Sequence, residues 1–149
     1  DSYETIDYAG PARMIDLRRS EARGLERDSR LDGLEILVVD DDRGICNSLK
    51  EILESDGCRV VTAHDGIEAL ECIEKGKFDL VLSDVVMPNM DGPTLAQRIR
   101  QDSPELKIIF MSGFTEDKLK DYMGENTWFL PKPFTLKQLA QKVKDVLDE

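Results

Sequence analysis

Several polar residues stand directly behind short apolar runs in this sequence. Asp40, Asp41 and Asp42 follow Val38-Val39, Asp84 follows Leu82-Ser83, Ser112 follows Phe110-Met111, and Lys132 follows Leu130-Pro131. Two carboxylates about 4 Å apart repel by roughly 4 kcal/mol at an effective dielectric near 20, so three gathered in one place call for a compensating cation. All-oxygen ligation completed by water is what Mg2+ tolerates, and neither His nor Cys is placed to favour zinc. Such an ion would neutralise charge on a transferring phosphoryl group, leaving Lys132 and Ser112 to hold its other oxygens. Taken singly, each residue has an ordinary reading: a loop or helix-cap Asp, a capping Ser, a solvated Lys. Their shared position at strand ends is what joins them.

The elements that must position them can be read from periodicity. From Leu34 onward, short apolar runs alternate with longer segments of helical period, the pattern of β-α units around a parallel sheet. Strands are predicted from Glu35 to Val39, Arg59 to Ala63, Leu80 to Ser83, Lys107 to Met111 and Trp128 to Leu130. Helices are predicted near Gly44 to Ser55, Ile67 to Lys75, Thr94 to Gln101, Glu116 to Met123 and Leu136 to Leu147. The last has the clearest apolar stripe, Leu136, Leu139, Ala140, Val143, Val146 and Leu147, which should pack on the sheet. Asp65 and Thr135 suit helix N-caps, and Gly57, Gly76 and Gly124 lie close to helix ends. In an open parallel sheet ligands bind at the carboxyl ends of the strands, which is where the polar residues fall.

Composition narrows the function. With 20 Lys+Arg against 31 Asp+Glu, a formal charge of -11, a nucleic-acid partner is disfavoured. Cys46, Cys58 and Cys72 form no Cys-x-x-Cys pair, so they support neither a disulfide framework nor a zinc site, and a cytoplasmic setting is expected. The apolar runs are too short to insert in a membrane. Residues 1–33 read as a linker or N-terminal arm, with a weakly amphipathic, helix-compatible stretch from Ala12 to Arg30, and residues 34–149 read as one domain. The start at Asp1 points to a segment of something longer. His64, the one histidine, reads as a solvated loop residue.

From about Leu34 to Leu147 the chain resembles the receiver domains of bacterial response regulators, the CheY-like family. The resemblance is carried by the acidic strand end, by Asp84-Val85-Val86-Met87-Pro88-Asn89-Met90-Asp91-Gly92, by Ser112 and by Lys132-Pro133-Phe134. It implies a flavodoxin-like, doubly wound α/β fold with strand order 2-1-3-4-5. It also implies phosphorylation of Asp84 by a histidine kinase or histidine phosphotransferase domain. Asp41 would bind Mg2+ directly, Asp40 through water, and Asp84 and the Val86 backbone carbonyl would complete the protein ligands. Ser112 and Phe129 would be the switch residues of a face built by the fourth helix, fifth strand and fifth helix, read by a downstream protein target. The Lys132-Pro133 bond would be cis, and Asp42, without a family role, would cap the first helix. In the family, polar side chains at the positions matching Val86 and Phe114 can orient attacking water; neither residue can do so by hydrogen bonding, so the resemblance implies slow self-dephosphorylation. The segments around Ser112 and Lys132 also resemble the C-terminal receiver of hybrid histidine kinases of the alphaproteobacterial cell-cycle type. Such a domain transfers phosphate to itself and is not a turnover enzyme alone.

Two other functions stay open on sequence. Asp40-Asp41-Asp42 contains the Asp-x-Asp spacing of a haloacid-dehalogenase-like phosphatase, with Asp40 as nucleophile and Asp42 as general acid. A pseudo-receiver, a binding module that never takes phosphate, would keep the same fold.

Overall fold

The alternating pattern folds into a sheet of five parallel strands in the computed structural model, which describes residues 5–6, 31–113 and 124–149. The strands are β1 (Glu35–Val39), β2 (Arg59–Ala63), β3 (Leu80–Asp84), β4 (Lys107–Ser112) and β5 (Thr127–Pro131). Their order across the sheet is 2-1-3-4-5. Helices α1 (Arg43–Ser55), α2 (Gly66–Lys75) and α3 (Gly92–Asp102) and a C-terminal helix (Leu136–Leu147) surround it. The helix predicted from Glu116 to Met123 and the stretch from Ala12 to Arg30 lie outside the described residues. Thr5–Ile6 pairs antiparallel with Phe134–Thr135.

Side-chain alternation along each strand sorts the core into two layers. Ile36, Val38, Leu80, Leu82, Ile109, Met111 and Leu130 pack with Leu49, Leu53, Leu139 and Val143 of α1 and the C-terminal helix. Leu37, Val39, Val81, Ile108, Phe110 and Phe129 pack with Ala69, Leu95 and Ile99 of α2 and α3. A one-residue slip of any strand would exchange the layers, so burial fixes the register. That register sets Val39 beside Ser83, Asp84 beside Met111, and Ser112 beside Pro131. All five carboxyl ends therefore finish along one edge.

Every described helix also starts at that edge, and each has a side-chain cap. Asp42, Asp65, Asp91 and Thr135 accept from the backbone N–H of Ile45, Glu68, Thr94 and Gln138. A cap of this kind is worth about 1 kcal/mol. At the opposite edge Lys107 Nζ donates to the carbonyls of Val146 and Leu147, 2.7 and 3.3 Å away, tying the end of the C-terminal helix to the start of β4. Leu31, 1% exposed, belongs to the first core layer.

Candidate functional site

Asp40 follows the last residue of β1 and is 2% exposed. Its N–H donates to the Ala63 carbonyl at 3.1 Å, and its Oδ1 accepts from the Asp42 N–H at 3.0 Å. Oδ2 is buried without a hydrogen-bond partner, and Lys132 Nζ stands 4.0 Å from it. Burial pushes the Asp40 carboxyl up from 3.8 to about 7, the Asp42 N–H opposes that rise, and the negative charge of Asp84 adds to it.

Asp84 ends β3 inside a closely fitted turn. Its Oδ1 accepts from the Val85 N–H at 2.9 Å and from Lys132 Nζ at 3.2 Å. The Gly92 N–H donates to the Val85 carbonyl at 2.8 Å, and a Cβ on Gly92 would lie 2.8 Å from the Asp84 carbonyl oxygen. Only glycine allows that approach. Asn89, in the same loop, has φ 69°, a left-handed conformation that Asn tolerates better than most residues.

Lys132 follows β5, its N–H donating to the Ser112 carbonyl at 2.7 Å, and the Lys132-Pro133 peptide is cis. Ser112 is 2% exposed and lies one position beyond the rung that pairs Asp84 with Met111. Phe129 is buried beside Phe110, whereas Val86 is 60% exposed.

Carboxylate oxygens of Asp40, Asp41 and Asp84 lie within 4.8 Å of one another, an arrangement able to hold a metal ion. The orphaned buried Oδ2 of Asp40 and the all-carboxylate donor set fit a hard, oxygen-seeking dication. Asp42 stands apart, because its carboxylate caps α1 at 3.1 Å from the Ile45 nitrogen. The Asp-x-Asp phosphatase arrangement thus loses its general acid to a structural role.

Residues 36–144 match the family model described as the response regulator receiver domain. The chain belongs to this family. It is 39% identical over 149 residues to the sensor kinase CckA of Brucella abortus, covering 92% of this chain and 16% of that protein. It is 34% identical over 116 residues to the response regulator MprA of Mycobacterium ulcerans, covering 76% of this chain and 50% of that one. The chain thus spans half or less of the length of these relatives. Among solved structures, the receiver domain of the hybrid histidine kinase CckA matches with TM-score 0.66 and 36% identity, over 76% of this chain and 98% of that one. The Thermotoga maritima response regulator TrrA, solved in complex with Mg2+-BeF, matches with TM-score 0.69 and 34% identity, over 76% and 99%. Vibrio cholerae CheY4 matches with TM-score 0.72 and 32% identity, over 77% and 99%.

Two further residues of this receiver touch the acidic cluster. His64 Nδ1 lies 3.3 Å from the Asp40 carbonyl oxygen, and Cys46 Sγ donates to the same oxygen at 3.2 Å. His64 is therefore not the merely solvated loop residue that its sequence context indicated. Burial, with the Asp40 charge adding to it, pushes the Cys46 thiol up to about 12, so it stays a donor at neutral pH. The available signal was the strand-end rule itself: His64 follows β2, the neighbour of β1, as directly as Asp84 ends β3. For Cys46 the signal was its place in the first turn of α1, where a core-facing side chain points back at the end of β1. Among the described residues, no helix is long and apolar enough to cross a membrane.

Proposed function

We propose that this receiver takes a phosphoryl group onto Asp84 from a phosphohistidine of a histidine kinase or histidine phosphotransferase domain. The observation that carries this reading is the pairing of Lys132 Nζ with Asp84 Oδ1 at 3.2 Å, beside the buried, unpartnered Oδ2 of Asp40. Asp40, Asp41, Asp84 and the Val86 carbonyl would hold Mg2+. When bound, the ion supplies positive charge for the phosphoryl oxygens. The Asp84 carboxylate attacks phosphorus in line, the P–N bond breaks as the P–O bond forms, and the imidazole leaves with the bonding pair. The Val85 N–H and Lys132 hold Asp84 in place before the donor arrives, so little reorganisation remains.

The modified Asp84 gains roughly one negative charge and new acceptor oxygens, by analogy with other phosphorylated side chains. Ser112 can donate to those oxygens, and its movement would let Phe129 repack between β5 and the second core layer. This shifts a pre-existing equilibrium of the surface that a downstream protein target would read. The similarity to CckA over 92% of the chain supports a place within a hybrid kinase, with residues 1–33 as a connecting arm that Leu31 anchors in the receiver core and 34–149 as the receiver.

Incubation of wild-type and Asp84→Asn protein with acetyl phosphate, with and without Mg2+, tests this reading. Label should appear on Asp84 only when Mg2+ is present, and be lost in the variant. Label on Asp40, or no uptake from either acetyl phosphate or a partner kinase, would overturn it.

A further inference from the structure

We propose that His64 and Cys46 are positioning residues for the metal site, holding the Asp40–Asp41 peptide so that two successive carboxylates converge on one ion. The inference rests on the reading of Asp40, Asp41 and Asp84 as the Mg2+ ligands.

The hydrogen bonds of Asp40 carry the argument. Its N–H is taken by Ala63 at 3.1 Å, and its Oδ1 by Asp42 at 3.0 Å. Its carbonyl oxygen receives Cys46 Sγ at 3.2 Å and His64 Nδ1 at 3.3 Å, leaving Oδ2 as the one polar atom without a hydrogen-bond partner. A carbonyl can only accept, so this contact is a hydrogen bond in the tautomer, or the imidazolium, that carries a proton on Nδ1.

The accepting carbonyl belongs to the planar peptide joining Asp40 to Asp41. Rotating that unit changes ψ of Asp40 and φ of Asp41 together, and so changes where the two carboxylates point relative to each other. Two donors from different elements oppose the rotation. Cys46 comes from the first turn of α1, and His64 from the β2–α2 connection. The His64 backbone is itself held, since its N–H donates to Glu68 Oε1 at 2.5 Å, next to the Asp65 cap of α2. Met90 of the Asp84 loop packs so closely on Gly66 that a Cβ there would lie 2.7 Å from its sulfur. The start of α2 therefore touches the Asp84 loop through Met90 and the Asp40 strand end through His64.

Titration of the metal-free protein with Mg2+, followed by calorimetry, tests this. His64→Leu removes the donor while keeping bulk, and His64→Asn restores an amide N–H at about the same reach as Nδ1. His64→Leu should raise the Mg2+ dissociation constant roughly tenfold, the lower end for loss of a group that orients a ligand. His64→Asn should return it to within about twofold of wild type, and His64→Leu combined with Cys46→Ala should weaken binding further. The Mg2+ concentration giving half-maximal uptake from acetyl phosphate should move in parallel. Unchanged affinity in His64→Leu, or equal weakening in Leu and Asn variants, would overturn the positioning role while leaving the metal site standing. Absence of Mg2+ binding by the wild type, or full binding by Asp40→Asn, would instead overturn the metal assignment beneath it.

Discussion

Replacing Asp40 with Asn removes a charge that the fold buries while keeping the side chain's shape. In the folded chain this carboxyl titrates near 7 instead of 3.8, so the folded state binds its proton more tightly than the unfolded state does. Stability must then fall as pH rises from about 4 to about 7, and the full cost is present above that range. At about 1.36 kcal/mol per pH unit the cost of ionised Asp40 is on the order of 4 kcal/mol. The Asn amide keeps an acceptor for the Asp42 N–H but introduces donors that lack partners, a penalty of roughly 1 to 2 kcal/mol. Without metal, Asp40→Asn should therefore be about 2 kcal/mol more stable than the parent at pH 8, and no more stable at pH 4. Urea melts followed by far-UV circular dichroism at the two pH values give both differences. With Mg2+ at about 100 times its dissociation constant the parent should gain roughly 2.7 kcal/mol and the variant little, closing or reversing the gap at pH 8. A variant less stable than its parent at pH 8 without metal, or a difference that ignores pH, would refute the assignment of Asp40 as a strained buried carboxylate.

Three other substitutions test neighbouring parts of the molecule. Gly92→Ala places a Cβ 2.8 Å from the Asp84 carbonyl and 2.9 Å from Phe110 Cε1; it should cost about 1 to 3 kcal/mol in urea melts and slow uptake onto Asp84. Arg100 bonds the carbonyls of Ser103, Leu106 and Asn126 and the hydroxyl of Thr127, knitting α3 to the entries of β4 and β5. Arg100→Leu should lower stability by about 2 to 3 kcal/mol, measured the same way, with Mg2+ affinity within twofold of the parent. Val86, exposed two residues past Asp84, offers no hydrogen bond to water, so Val86→Asn should hasten decay of the phosphorylated protein several-fold by retained-label assay.

Where the apolar pattern was sharply bounded, the elements could be read directly. β1 and β2 have the predicted limits because Asp40 and Gly57-Cys58 interrupt their runs, and the C-terminal helix does because Thr135 with Gln138 forms a capping box. Differences arise where a residue with one local preference serves another element. α3 starts at Gly92, two residues before the predicted start, since Asp91 caps it and Pro93 is accommodated in a first turn that needs no N–H there. β5 extends to Pro131, which an edge strand tolerates. The acidic cluster and Lys132 were legible because strand ends in a parallel sheet share one edge. For His64 and Cys46 only their position near the strand ends was legible, because their shared acceptor is a backbone carbonyl and residue type does not mark which carbonyl a side chain will meet.

Charge explains why these parts belong together. Three carboxylates face one ammonium in the pocket, an excess of two negative charges when all are ionised. A phosphoryl group entering that field would add to the excess, and at separations of a few ångströms each unscreened like-charge pair is worth several kcal/mol at an effective dielectric near 20. Lys132 alone cannot offset it: it pairs with Asp84 at 3.2 Å but stands 4.0 Å from Asp40. A dication would bring the count to neutrality before the proposed transfer, and that would require Asp40 to give up a proton that burial makes it hold near neutral pH. The anchors on the Asp40 backbone matter for this reason. Cys46, His64, Ala63 and Asp42 contact its backbone and Oδ1, leaving Oδ2, 4.0 Å from Lys132 Nζ, as the oxygen available to a cation.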